Sequence, residues 1–153
     1  RYPNTTSASS TRCRGRRAMA DIITNPVEYA REVVGRDPMA TFLGIVVEEA
    51  RESYARCSLT VMPEYLNAAE RAHGIAVHAV ADQAFAVACN STGSKALAMH
   101  FSISYLSGAL DGEKMVAEAV PVNIGKKVSV WKIDVRGSAG RHIASCEGIA
   151  YHK

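Results

Sequence analysis

The stretch His73-Gly-Ile-Ala-Val-His-Ala-Val-Ala-Asp82-Gln-Ala-Phe-Ala-Val-Ala-Cys-Asn90 decides how this chain is read. It is almost wholly small and apolar, and long enough for about five helical turns. Alanine favours helix, and Asn90 with Gly93 supplies a stop. A helix that is apolar nearly all round is a buried helix. Its length approaches that of a membrane span, but a carboxylate and two histidines inside it argue against one. Other elements must therefore wrap it. It carries a single acid, Asp82, which is either structural, capping a neighbour or pairing with a buried base, or functional, a general base or nucleophile perturbed by desolvation. The stretch alone leaves both open.

Downstream of Gly93 the pattern has the period of strands. Lys95 to Leu106 alternates, with Leu97, Met99, Phe101, Ile103 and Tyr105 set against Ala98, His100, Ser102 and Ser104. Lys114 to Ile124, Lys126 to Val135 and Arg141 to Tyr151 follow as three more strands, separated by turn-forming runs at 123–126 and 137–140. Upstream, Asn25-Pro26 starts a helix expected to run to Val34 and end at Gly35, and Asp37-Pro38 opens a second short helical turn. Leu43 to Glu49 and Tyr54 to Met62 read as two strands, with the charged run Glu48 to Ser53 as their hairpin connection and Pro63 as the breaker. Glu64 to Ala72 reads as a loop. Six strands covering one apolar helix imply an α+β fold: a strongly curved antiparallel sheet folded round that helix.

The bulk numbers exclude several classes. The 153 residues suit one domain with a core that needs no staples. Net charge is +3, but Arg1, Arg12, Arg14, Arg16 and Arg17 lie in a leader without acids, and the rest is slightly acidic. Charge therefore gives no case for a nucleic-acid partner. Cys13, Cys57, Cys89 and Cys146 are scattered without a CxxC pair, which points to free thiols in a reducing compartment and to no metal site. Residues 1–18 have no apolar centre for a secretory signal. They are expected to be a disordered leader or non-native extension, with Met19 as the native start and residues 19–153 as a single domain.

From about Leu43 onward the chain resembles the hotdog-fold acyl-CoA thioesterases, specifically the phenylacetate-pathway clade. The resemblance rests on Leu66-Asn67, Ala72-His73-Gly74, Ala81-Asp82-Gln83-Ala84-Phe85-Ala86, Ala88-Cys89-Asn90-Ser91, the strand Phe101 to Leu106 and the Gly125-Lys126-Lys127-Val128 turn. It implies that Asp82 is the catalytic carboxylate, that Gly74 gives an oxyanion-hole N–H, and that His73 and Asn67 support the thioester. The clade has His-Gly-Gly where this chain has His73-Gly74-Ile75, so Ile75 is expected to reshape the acyl pocket. The implied substrate is an aryl- or medium-chain acyl-CoA; coenzyme A belongs to that substrate, and no separate cofactor is expected. A cytoplasmic location goes with this reading. An enoyl-CoA hydratase or dehydratase and a non-enzymatic acyl-CoA-binding domain are the alternatives on the same fold.

The chemistry adds one geometric demand. An N–H at the start of a helix is an unpaired donor at the positive end of the dipole, suited to a developing oxyanion. Asp82 lies eight positions beyond Gly74, roughly 12 Å along the axis at about 1.5 Å per residue. Both groups must come within about 3 Å of one reacting centre. If both act, they belong to two antiparallel helices of a twofold homodimer, which could pair again into a tetramer. Asp82 could activate water or attack the carbonyl itself, and water attack is slightly favoured. His78, one turn before Asp82, either tunes it or packs. Cys89 reads as core and Trp131 as packing or interface. Lys126 and Lys127, with Arg136 and Arg141, are candidates for the CoA phosphates. His73 could equally cap its helix, and Asn67 could equally hold its loop.

Overall fold

The computed structural model describes residues 23–153, so the expected leader over 1–18, the Met19 start and Cys13 lie outside the described residues. Helix α1 (Pro26–Glu32) starts where Asn25-Pro26 requires, with the Asn25 carboxamide accepting from the Glu28 N–H at 3.2 Å. It does not continue to Val34. The chain tightens there into a 3₁₀ turn, Val34–Arg36, because Gly35 is buried and its backbone packs straight onto Val47. Helix α2 (Pro38–Leu43) is a fuller helix than the single turn expected, capped by Asp37.

Leu43 therefore ends a helix and does not begin a strand. The first strand is β1 (Val46–Arg51), and it absorbs most of the charged run expected to be a connection. Glu48 and Glu49 belong in the strand because cross-strand cations meet them. Arg56 reaches Glu48 at 3.2 Å and Glu49 at 3.4 Å, and Lys114 also pairs with Glu48. The reversal is confined to Glu52 and Ser53, where Ser53 takes a φ of 58°. Strand β2 (Tyr54–Thr60) comes next, then the loop to helix α3 (Gly74–Asn90). Strands β3 (Ala96–Tyr105), β4 (Lys114–Ile124), β5 (Val128–Arg136) and β6 (His142–His152) complete the chain.

All pairings are antiparallel, in the order β1-β2-β4-β5-β6-β3. The sheet curves around α3 as the α+β reading anticipated. Small side chains such as Ala81, Ala84 and Ala88 let the helix sit close, and Val77, Val80 and Val87 are buried with them. Phe85 fills the middle of the core. Gly148 of β6 has no side chain because Phe85 occupies that space, and a Cβ there would come within 2.9 Å of the ring. Trp131, fully buried on β5, stacks obliquely on Phe85 at 6.5 Å. Its indole N–H donates to Ser129 Oγ at 2.7 Å, and Ser129 Oγ lies 2.7 Å from Nε2 of the buried His152. At the end of α3, the buried Asn90 side chain clamps both backbone groups of Ala96, fixing where β3 begins.

Two features depart from the expected wrapping. The helix is not covered all round: Ile75, His78, Ala79, Asp82 and Ala86 form a stripe that the sheet leaves open, with Ile75 72% exposed. The second concerns β3, an edge strand paired only with β6, whose register shifts between Ala98 and His100. That bulge moves Leu97 and Met99 out of the row formed by Phe101 and Ile103 and leaves both exposed. Among the described residues, no helix is long and apolar enough to cross a membrane.

Candidate active site

The open stripe of α3 forms the floor of a cavity of about 390 Å³, roofed by Met39, Ala40 and Leu43 and walled by Ile75, His78 and Tyr105, with Asp82 inside it. A second cavity, about 480 Å³, meets Asp82 from the other side and runs along Phe85, Ala86 and Cys89 toward β3. Asp82 thus lies between two mostly apolar spaces. Burial raises its pKa above the ordinary carboxylate range; the His78 imidazole opposes that shift and the Asp37 carboxylate adds to it. No described residue donates a hydrogen bond to it or forms a salt bridge with it. A structural acid usually has such a partner, and among the described residues Asp82 has none.

Gly74 is the first residue of α3. Its N–H has no hydrogen-bond partner among the described residues, whereas the next N–H, of Ile75, is taken by Nδ1 of His73 at 3.1 Å. His73 is thus the helix cap. The Gly74 carbonyl accepts from the Tyr105 hydroxyl at 3.2 Å, and a Cβ on residue 74 would come within 3.0 Å of that oxygen. Glycine leaves room here for the close approach of the Tyr105 hydroxyl. Tyr105, Asp37 and the α2 roof were not among the site residues read from the sequence. The only early sign of them was the Asp37-Pro38 helix start and the tyrosine closing the β3 pattern.

The remaining candidates fall into place unequally. Asn67 holds its own loop, with Oδ1 accepting from the Ala69 and Arg71 N–H groups at 2.8 and 3.2 Å. His78 packs on Phe101, ring centroids 4.7 Å apart, while lining the Asp82 cavity, so packing and proximity to the acid coexist. Cys89 is core, and its thiol is pushed up to about 12 by burial. Lys126 and Lys127 occupy the β4–β5 turn, at the end of the sheet where α3 finishes, because the Lys127 carbonyl accepts from His152, which pairs with Ala96. One chain does not bring them to Gly74. Arg141 is already occupied: it forks onto Glu113 with two contacts of 2.7 Å and also donates to Ser107. Arg136 donates to the Gly140 carbonyl.

An acid in a partly dry cleft, on a helix whose first N–H is free, has the parts for acyl transfer to water. Residues 65–144 match the thioesterase superfamily model, and the chain belongs to that family. It is a thioester hydrolase with the hotdog fold. Among its relatives, acyl-coenzyme A thioesterase PaaI of Escherichia coli is 31% identical over 121 residues, 79% of this chain and 86% of that protein. The structure of the E. coli PaaI protein superposes with a TM-score of 0.81 over 86% of this chain and 96% of that one, at 28% identity. A relative in Archaeoglobus fulgidus with a provisional esterase name is 42% identical over 115 residues, 75% of each chain.

Proposed function

We propose that this protein hydrolyses an acyl-CoA thioester to a free acid and coenzyme A, at a site that two copies of the chain build together. The observation that carries the reading is the unpartnered, partly buried Asp82 on the helix whose opening N–H, at Gly74, is also unpartnered. Asp82 takes a proton from water as the water oxygen bonds to the thioester carbon. The carbonyl oxygen, now negative, accepts from the Gly74 N–H of the second copy. The C–S bond then breaks, and the thiolate takes the proton from Asp82. Such an oxyanion donor is worth about a hundred- to a thousandfold in rate.

The two-copy arrangement follows from the roughly 12 Å between the groups along one axis, at about 1.5 Å per residue. The unpaired edge of β3, with exposed Leu97, Met99 and Tyr105, offers the surface for it. Antiparallel pairing would also bring the 126–127 turn of one copy toward Gly74 of the other, where Lys126 and Lys127 could meet the CoA phosphates. The apolar cavity beside Ile75 suits an aryl or medium-chain acyl group.

A subunit-mixing assay tests this. Asp82→Asn and Gly74→Pro should each be nearly inactive toward acyl-CoA thioesters. Proline is tolerated at the first position of a helix and removes the N–H, and the Tyr105 hydroxyl has to give by a few tenths of an ångström to admit its Cβ. Refolded together, the two variants should recover about a quarter of wild-type thiol release, because random pairing of a twofold dimer restores one intact site in half the dimers. No recovery would mean that each site belongs to one chain.

A further inference from the structure

Asp37 lines both cavities that meet at Asp82. One of its oxygens, Oδ1, accepts from the Ala40 N–H at 2.8 Å and caps α2. The other has no hydrogen-bond or salt-bridge partner among the described residues. Its place is fixed from below by Gln83, the buried neighbour of Asp82, which donates from Nε2 to the Val34 carbonyl at 2.8 Å. The N–H of Asp37 donates to that same carbonyl at 3.3 Å. One backbone oxygen thus ties the residue beside Asp82 to Asp37, and the Pro38 ring limits the backbone on its other side. Capping explains one carboxylate oxygen of a residue that lines the cleft and leaves the second without such a role.

We propose that Asp37 is a second carboxylate of this site, a positioning residue on the cavities it shares with Asp82, whose negative charge makes Asp82 a stronger base toward the attacking water. The inference rests on the thioester hydrolysis proposed above. A negative charge on the same apolar space disfavours the charged form of Asp82, which makes it a stronger base. That fits the direction of its pKa, which burial raises, His78 opposes and Asp37 raises further. The other titratable groups on the two cavities are Tyr105 of β3, Tyr29 of α1, Lys95 ahead of β3, and Lys153 after β6. Lys95 stands over the Tyr29 ring at 6.0 Å.

The test uses Asp37→Asn and Asp37→Ser, because both residues cap helices as well as aspartate does and neither carries charge. Hydrolysis of hexanoyl-CoA and phenylacetyl-CoA, followed by loss of thioester absorbance, gives kcat and kcat/KM against pH. In both variants the acid limb of kcat/KM should move to lower pH, and kcat on the plateau should fall by roughly two- to tenfold as the base weakens. KM and the thermal midpoint should hold. An acid limb that stays put, or one that moves only alongside a fall in thermal midpoint, would overturn the proposal and leave Asp37 a cap. Wild-type rates from Asp82→Asn would instead remove the hydrolytic reading beneath it, and that result is visible without touching Asp37.

Discussion

Two acids withdrawn from solvent, buried Glu113 and half-buried Asp82, have the same chemistry and opposite fates. Glu113 accepts from the backbone N–H groups of Leu110 and Ser138 at 2.9 and 2.8 Å and is gripped by Arg141. Burial alone would raise its pKa, but those donors outweigh it and hold the carboxyl below the usual range. Asp82 has the burial without the donors, and it moves the other way. The Glu113 corner joins the loop ahead of β4 to the loop ahead of β6, a fastening with nothing left over. Among the described residues nothing donates to Asp82, so its lone pairs are left uncommitted.

The largest test of that contrast is Asp82→Asn. Thiol release from acyl-CoA should fall by about a hundred- to ten-thousandfold. The same variant should unfold at a higher temperature at neutral pH. A carboxyl whose folded-state pKa is raised stabilises fully when protonated, below its unfolded pKa, and loses that contribution as pH rises through the folded value. The advantage of asparagine should therefore vanish in acid. The next largest effect is expected at the other acid: Arg141→Met leaves a buried carboxylate short of its cation and should cost about 3 kcal/mol in urea unfolding at neutral pH. Glu113 has a lowered folded-state pKa, so its contribution is present above the unfolded value and lost as pH falls through the folded one; the penalty should shrink accordingly. Glu113→Gln keeps one acceptor and should cost less, about 1–3 kcal/mol, with hydrolysis unchanged. The smallest is Tyr105→Phe, which removes one hydrogen bond to the Gly74 carbonyl and should cost about 0.5–1.5 kcal/mol by thermal melts.

The contrast also explains what the sequence could and could not announce. The core helix was legible to within a residue because alanine content, a cap and a stop coincide between His73 and Asn90. The four later strands were legible because turn residues separate them. The β1 boundary was misplaced since Glu48 and Glu49 look like a loop until Arg56 and Lys114 are seen opposite them. The bulge at Met99 left no local mark, and it reverses which face Leu97 shows. For the site, Asp82 and Gly74 could be named as candidates from the chain, and their roles are those the family resemblance implies. Arg141 looked like a free cation for phosphate because its partner Glu113 is remote in sequence. Asp37 read as an ordinary helix cap, and only the packing of the α1–α2 segment over α3 brings it to the cavities that Asp82 lines.

The chain has one tryptophan, and the fold places it where its light is informative. The Trp131 indole is joined through a single hydroxyl to an imidazole supplied by the far end of β6. Burial lowers the pKa of that imidazole, so it resists charging under mildly acidic conditions. Intrinsic emission should stay constant there and change only when the final strand detaches, giving a dye-free optical readout of one seam of the barrel-like wrap.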